Sequence, residues 1–184
     1  LHVQIKYNYI YGGINLKSEP IQIYEDVLKG SLRRFPRGFW VDDEGKNLIA
    51  SAEITRYLIE NVLKWSDEKV KSDISCKVFF NHKLKGMLCT LFGDSVYAAL
   101  NNAYPGKYKE WELACTPRNF WTLENAKKAT IWLFKEKLQW SDDEIRQNIS
   151  RKIFVENGLD TMMHLLFKNN AKAAISNAFP DLFR

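Results

Sequence analysis

Along most of this chain the apolar residues recur at steps of three and four, the spacing of one face of a helix, and the pattern runs twice. Residues 47–106 lie over 122–181 at a constant shift of 75 positions without a gap, and 20 of those 60 positions are identical. Chance would match only a few, so the chain carries two copies of one unit. The first copy opens on Phe35-Pro36-Arg37-Gly38-Phe39-Trp40 and the second on Thr116-Pro117-Arg118-Asn119-Phe120-Trp121. Six residues, 41–46, follow the first tryptophan and have no counterpart after the second.

The spacing predicts four helices per copy. The first covers 48–64 and 123–139, behind Asn47 and Thr122 as N-caps whose side-chain oxygens take a free backbone N–H. Ile54, Tyr57, Leu58 and Leu63 share a face, as do Ala129, Trp132, Leu133 and Leu138. Trp65-Ser66-Asp67 and Trp140-Ser141-Asp142 interrupt the chain and start a second helix. Ser141 with Glu144 makes a capping box there, whereas the first copy has Lys69 in place of the glutamate. Val70, Ile74, Val78 and Phe79 recur as Ile145, Ile149, Ile153 and Phe154, which predicts one continuous helix in each copy. A short third helix is expected over 84–92 and 159–167, with Gly158 stopping the helix before it. After a tight turn at Gly93-Asp94 or Lys168-Asn169, a fourth helix covers 95–103 and 170–178, and Pro105 and Pro180 close the units.

Residues 1–34 differ. Val3, Ile5, Tyr7, Tyr9 and Tyr11 alternate with mostly polar residues, Gly12-Gly13 can turn the chain, and 21–24 can return, which reads as a hairpin or the tail of a preceding domain. The expected fold is mostly α: two tandem four-helix repeats with helix-turn-helix-like ends, preceded by a short β-hairpin or strand segment. Residues 1–34 form the N-terminal strand or hairpin and linker, 35–106 the first repeat and 107–184 the second.

Composition narrows the function classes. Of the 184 residues 46% are apolar, enough for two small cores. No run of eighteen apolar residues supports a membrane span, and no basic-then-apolar leader suggests secretion. The expected location is the cytoplasm, and the chain, starting at Leu1 and stopping with the repeat pattern, reads as a piece of a longer protein. The net charge of +5 divides as +2 over 1–34, zero over 35–106 and +3 over 107–184, a mild basic lean. Cys76, Cys89 and Cys115 form no C-x-x-C pair, and Arg151 and His164 replace the first two in the second copy, so neither a metal nor a disulfide framework is expected. His2, His82 and His164 do not align, and no phosphate loop, H-E-x-x-H or nucleophile elbow is present. The acidic run Asp42-Asp43-Glu44 reads as an exposed loop rather than a magnesium site. The expectation is a protein that is not an enzyme and uses no cofactor.

The third and fourth helices with their tight turn follow the helix-turn-helix plan, in which the later helix enters a major groove. In the second copy Lys168, Asn169, Asn170 and Lys172 offer a polar face near that helix's start, suited to adenine, guanine or phosphate. Arg146, Arg151 and Lys152 supply cations from the second helix. Arg37 and Arg118, each beside a fixed proline, either clamp phosphate or cover the tryptophan ring by a cation–π contact. These nine residues are the candidate nucleic-acid-binding set, with double-stranded DNA as the expected ligand and a protein-interaction scaffold as the alternative.

Trp121-Thr122, the long helix, Leu166-Phe167, Ala173-Ala174-Ile175, and Leu91-Phe92-Gly93-Asp94-Ser95 in the first copy resemble the repeats associated with homing endonucleases. That resemblance implies DNA binding through helix-turn-helix units, often beside a nuclease domain, and covers the ends of each unit. The stretch from Trp65 to Phe79 is longer than in those repeats. The proline signatures and the Tyr104 to Trp111 segment also resemble uncharacterised helical repeats of Gram-positive bacteria and their phages, which implies a bacterial or phage origin and no function.

Overall fold

The computed structural model describes residues 17–42, 45–117 and 119–183. The alternating segment before residue 17, Asp43, Glu44 and Arg118 lie outside them. The chain is mostly α, as the sequence predicts, and divides into two compact units: unit 1 runs to Lys109 and takes in Leu113–Cys115, while unit 2 holds Glu110–Glu112 and everything from Thr116 onward.

The described part of unit 1 opens on a helix where a returning strand is expected. Helix α1 is Glu19–Lys29, with Pro20 in its first turn and Gly30 closing it at φ 83°. Pro20 suits a first turn because its missing N–H has no partner there anyway. Ile21 and Ile23 suggest alternation, but Tyr24 and Val27 are the buried residues, with Leu28 half-buried beside them. Steps of three and four therefore decide the element, because the unit's core lies on one side of it. The Tyr24 hydroxyl donates to the His82 carbonyl at 3.2 Å. Glu25 accepts hydrogen bonds from Lys17 and from the Tyr57 hydroxyl. Lys17 first and Tyr57 second hold the Glu25 carboxyl at about 2, below its ordinary 4.5. A carboxyl whose folded value is depressed stabilises the fold above its unfolded value and loses that contribution as pH falls toward the folded one. Urea unfolding of Glu25→Gln should therefore lose less stability than the parent between pH 4.5 and pH 2. Equal losses in the two proteins would exclude this role for Glu25.

The short strands lie in the six-residue insert. Strand β1, Val41–Asp42, pairs antiparallel with β2, Gly45–Lys46, in the register Val41 to Lys46 and Asp42 to Gly45. The signature before it is a turn in both units, closed by the Phe39 amide on the Pro36 carbonyl (3.2 Å) and the Phe120 amide on the Pro117 carbonyl (2.9 Å).

Helix α2 is Leu48–Tyr57, and its backbone continues as a π-helical turn over Leu58–Leu63. Asn47 caps it by accepting the Ala50 amide at 3.1 Å. Beyond the π turn Lys64 is left-handed at φ 52°, and the Trp65 amide reaches back to the Ile59 carbonyl at 3.1 Å. The Lys64 amide bonds the same carbonyl, so one acceptor at the helix end takes both donors.

The expected second helix is two helices. Helix α3, Asp67–Asp73, ends at Ile74, whose ψ of 135° is extended, and α4, Cys76–Asn81, starts beyond Ser75. Ile74 is buried at this joint, so its four-residue step from Val70 reflects a shared core rather than an unbroken helix. Helices α5, Lys85–Phe92, and α6, Val96–Ala103, follow. Helix α6 packs on α2, and both bury small residues, Ala99 and Ala103 on α6 and Ser51, Ala52 and Thr55 on α2. Small side chains let helix axes approach closely. The Asn102 amide locks the pair by donating to the Leu48 carbonyl (2.9 Å) and the Ser51 hydroxyl (3.0 Å).

Unit 2 runs through the same order: α7 (Leu123–Ile131), a π turn (Trp132–Lys137), α8 (Asp142–Asn148), α9 (Arg151–Glu156), α10 (Asp160–Phe167) and α11 (Ala171–Ala178). Left-handed Gln139, the Trp140 amide on the Phe134 carbonyl (2.8 Å) and the Asn177 amide on the Leu123 carbonyl (3.0 Å) repeat their counterparts at a shift of 75. The Ser141–Glu144 capping box is complete. Backbone and hydroxyl hydrogen bonds from Ser141 lower the Glu144 carboxyl. Even a shared defect recurs: the buried Thr55 and Thr130 hydroxyls, equivalent positions, lack a hydrogen-bond partner. Such a group costs about 1–3 kcal/mol.

The units differ in what precedes the signature. In unit 1 the Tyr24 ring of α1 stands edge-on to Tyr57, with centroids 6.3 Å apart. In unit 2 the ring equivalent to Tyr57 is Trp132, and Trp111, from a single 3-10 turn over Glu110–Glu112, stands edge-on to it at 5.9 Å. One aromatic covers each ring, delivered by a helix in one unit and a three-residue turn in the other.

Candidate nucleic-acid interface

The end of unit 2 is a helix, a tight turn and a helix. Lys168 and Asn169 are both left-handed, at φ 48° and 64°. The Asn169 amide reaches back to the Met163 carbonyl (2.9 Å), and the Asn170 amide bonds the Phe167 carbonyl (2.8 Å). Asn170 then caps α11 by accepting the Ala173 amide at 3.1 Å. The same turn in unit 1 uses Gly93, Asp94 and Ser95, with Ser95 accepting the Ala98 amide at 3.1 Å.

The backbones match, but the surfaces do not. In unit 1 the Asp94 carboxylate accepts the Cys89 thiol at 2.8 Å, a bond that raises the thiol's pKa, and the Asp94 carbonyl accepts the Cys76 thiol at 3.4 Å. That turn presents a carboxylate where a phosphate contact would need a donor. In unit 2 the Cys76 position is Arg151, whose Nε donates to Asn169 Oδ1 at 3.0 Å and whose second nitrogen pairs with Asp160. Arg151 and Asn169 are thereby brought together beside the turn.

The remaining candidates scatter. Lys152 pairs with Glu156 at 3.6 Å. Arg146 pairs with Asp143 at 2.7 Å and donates to the Leu182 carbonyl at 2.8 Å, so it secures the C-terminal segment. The Asn170 side-chain oxygen is used in its cap. Arg37 is exposed in unit 1, away from either turn in sequence, and Arg118 lies outside the described residues. Lys168 and Lys172 are exposed, and neither pairs with a carboxylate among the described residues; the Lys172 ammonium lies 5.1 Å from the Phe183 ring centre. Of the nine residues singled out from sequence, these two are the cations free at the turn of unit 2.

Repeat matching passed over Arg33, Arg34, Lys83 and Lys85, which line a cavity of about 400 Å³ in unit 1. The adjacent arginines are visible in the sequence, but at equivalent positions the second copy has Gly158 for Lys83 and Asp160 for Lys85, so no pairing drew attention to them. Among the described residues no group of three or more His, Cys, Asp or Glu side chains is placed to hold a metal ion, and no helix is long and apolar enough to cross a membrane.

These elements define a mostly α chain in which one order of helices runs twice. The chain belongs to the family described as protein of unknown function (DUF4046), whose profile matches it over residues 21–109 and again over 106–184. The first match opens inside α1 and the second includes Trp111, so both span the aromatic that precedes the signature. No curated protein and no solved structure matches the chain.

Proposed function

We propose that unit 2 binds double-stranded DNA through the turn between α10 and α11 and the first turn of α11. The observation that carries this reading is the pair Lys168, in the turn, and Lys172, in the first turn of the second helix of a helix–turn–helix segment, both exposed and unpaired with any carboxylate among the described residues. Phosphate neutralisation supplies most of the affinity of such proteins, and only cations not already paired release counterions on binding. Arg151, held by Asn169 and already paired with Asp160, shapes the edge of the same turn without adding a free cation. Unit 1, with Asp94 in its turn, contributes no such contact.

The test is a duplex titration by gel shift at several salt concentrations, comparing the parent with Lys168→Gly/Lys172→Gln. Glycine is the residue unit 1 already uses at the left-handed Lys168 position, so this change does not threaten the fold. Parent affinity should fall linearly with salt on logarithmic axes. The double variant should bind about tenfold more weakly, with a slope shallower by about two. No retarded species at low salt, or an unchanged slope, rejects the proposal.

A further inference from the structure

The cavity in unit 1 has a chemistry that the duplex reading does not use. One wall is aromatic and apolar, from Phe35, Pro36, Trp40 and Phe80. It also carries Arg33, Arg34, Lys83 and Lys85, and among the described residues no carboxylate lines it. None of these four cations pairs with a carboxylate among the described residues, and the Lys85 ammonium sits 5.5 Å from the Phe80 ring centre. At about 400 Å³ the cavity falls within the size range of small-molecule sites, roughly 300–1,000 Å³.

The fold builds this site from fixed parts. Gly30 ends α1, and the Leu32 amide bonds the Asp26 carbonyl at 3.0 Å, which sets the path of the loop bearing the two arginines. Phe35 stacks on Tyr24 at 6.0 Å and packs against Trp40 at 4.7 Å. The indole of Trp40 lies against Gly86, where a Cβ would meet its Nε1 at 3.8 Å. Phe80, at the end of α4, is 37% exposed, unusual for a ring in a unit whose other phenylalanines pack inward. Lys83 is held left-handed at φ 65° in the turn between α4 and α5, where the Leu84 amide bonds the Phe79 carbonyl at 2.8 Å.

Unit 2 keeps the backbone of this corner, with Pro117, Trp121, left-handed Gly158 and the Leu159 amide on the Phe154 carbonyl, but not its exposed ring and cations. Phe80, Lys83, Lys85 and Gly86 correspond to Val155, Gly158, Asp160 and Thr161, and Asp160 is spent on Arg151. The cavity is thus a property of unit 1 and not of the shared fold.

Four unpaired cations around an aromatic wall select a ligand with a flat ring and a multiply charged anion close together. A planar guanidinium binds phosphate through two parallel hydrogen bonds, and aromatic and guanidinium faces stack on bases. We infer that the pocket formed by Phe35, Trp40 and Phe80 with Arg33, Arg34, Lys83 and Lys85 binds a nucleoside monophosphate group, the base on the rings and the phosphate among the cations. That group is available as a free nucleotide or as the 5′-phosphorylated end of a strand. The inference stands apart from duplex binding, because its residues lie in the other unit.

The experiment titrates the full chain by calorimetry with AMP, adenosine, inorganic phosphate, and deoxyadenosine tetranucleotides with and without a 5′-phosphate. AMP should bind at one site, with adenosine and inorganic phosphate each about tenfold weaker or worse. Lys83→Gly/Lys85→Gln should weaken AMP about tenfold without lowering the unfolding midpoint, since glycine suits the left-handed Lys83 position. Phe80→Val, the unit 2 residue, should weaken AMP and leave inorganic phosphate unchanged. Lys168→Gly/Lys172→Gln should bind AMP as the parent does, which separates this site from the duplex interface. A phosphorylated tetranucleotide that binds more tightly than AMP assigns a strand end, and a weaker one assigns a free nucleotide; either supports the site. No binding of AMP or of the phosphorylated tetranucleotide, inorganic phosphate binding as tightly as AMP, or full affinity in Lys83→Gly/Lys85→Gln would overturn it.

Discussion

Phe79→Ala should destabilise unit 1, and Phe154→Ala unit 2, by about 3–5 kcal/mol each. Both rings are fully buried at equivalent positions. Each stands at a double junction. Its side chain fills the core below the extended joint between two short helices, while its carbonyl accepts the amide that starts the next turn, from Leu84 at 2.8 Å and from Leu159 at 2.9 Å. In unit 2 the ring also meets Phe134 edge-on at 5.5 Å, which adds to the area it buries. Alanine leaves the backbone bond intact and opens a cavity that helices of six to eight residues cannot close without moving. Hydrogen exchange resolved by residue is the measurement. Protection should fall chiefly in the unit that carries the change, by the same order in the two variants. A loss below about 1 kcal/mol in either would mean that the ring is not the core anchor its burial indicates.

The second large effect lies at Trp111. Trp111→Ala should cost unit 2 about 3 kcal/mol, because it removes the aromatic that covers Trp132. Trp111→Phe should cost far less. The indole Nε1 of Trp111 is buried without a partner, so phenylalanine discards an unsatisfied donor together with part of the ring. Urea unfolding of the two variants measures the difference. A loss near zero for Trp111→Ala would show that the edge-on contact contributes nothing, and equal large losses would show that a phenyl ring does not restore it.

The order of helices was legible because it is written twice. The N-caps at Asn47, Thr122 and Ser141 and the tight turns at 93–94 and 168–169 stand where the spacing puts them. Three features were hidden, each for a physical reason. The joint at Ile74 and Ser75 keeps a four-residue apolar step, since both flanking helices face one core, and periodicity alone does not separate that from an unbroken helix. Helix α1 has no twin, and Ile21 and Ile23 imitate a strand although Tyr24 and Val27 are the residues that pack. The π turns have no composition of their own; each is followed by a left-handed residue, Lys64 or Gln139, which spacing does not reveal.

The candidate site was legible in part. Sequence spacing places Lys168 in the tight turn and Lys172 near the start of the last helix, and in the structure Lys168 closes α10 while Lys172 lies in the first turn of α11. It does not say which cations are already engaged, because Arg146 meets Leu182 and Arg151 meets Asn169 only after folding. The cavity rim escaped for the opposite reason: Arg33, Arg34, Lys83 and Lys85 come from two segments more than 45 residues apart and break the repeat rather than follow it.

The most direct test of the functional account is an amide chemical-shift map of the isotope-labelled chain as a short duplex is added at low salt. The account predicts that the largest shifts fall at residues 168–172, while the equivalent turn at 93–97, with its Asp94 carboxylate, stays still. Shifts centred on 93–97, or none at either turn with duplex in excess, would contradict it.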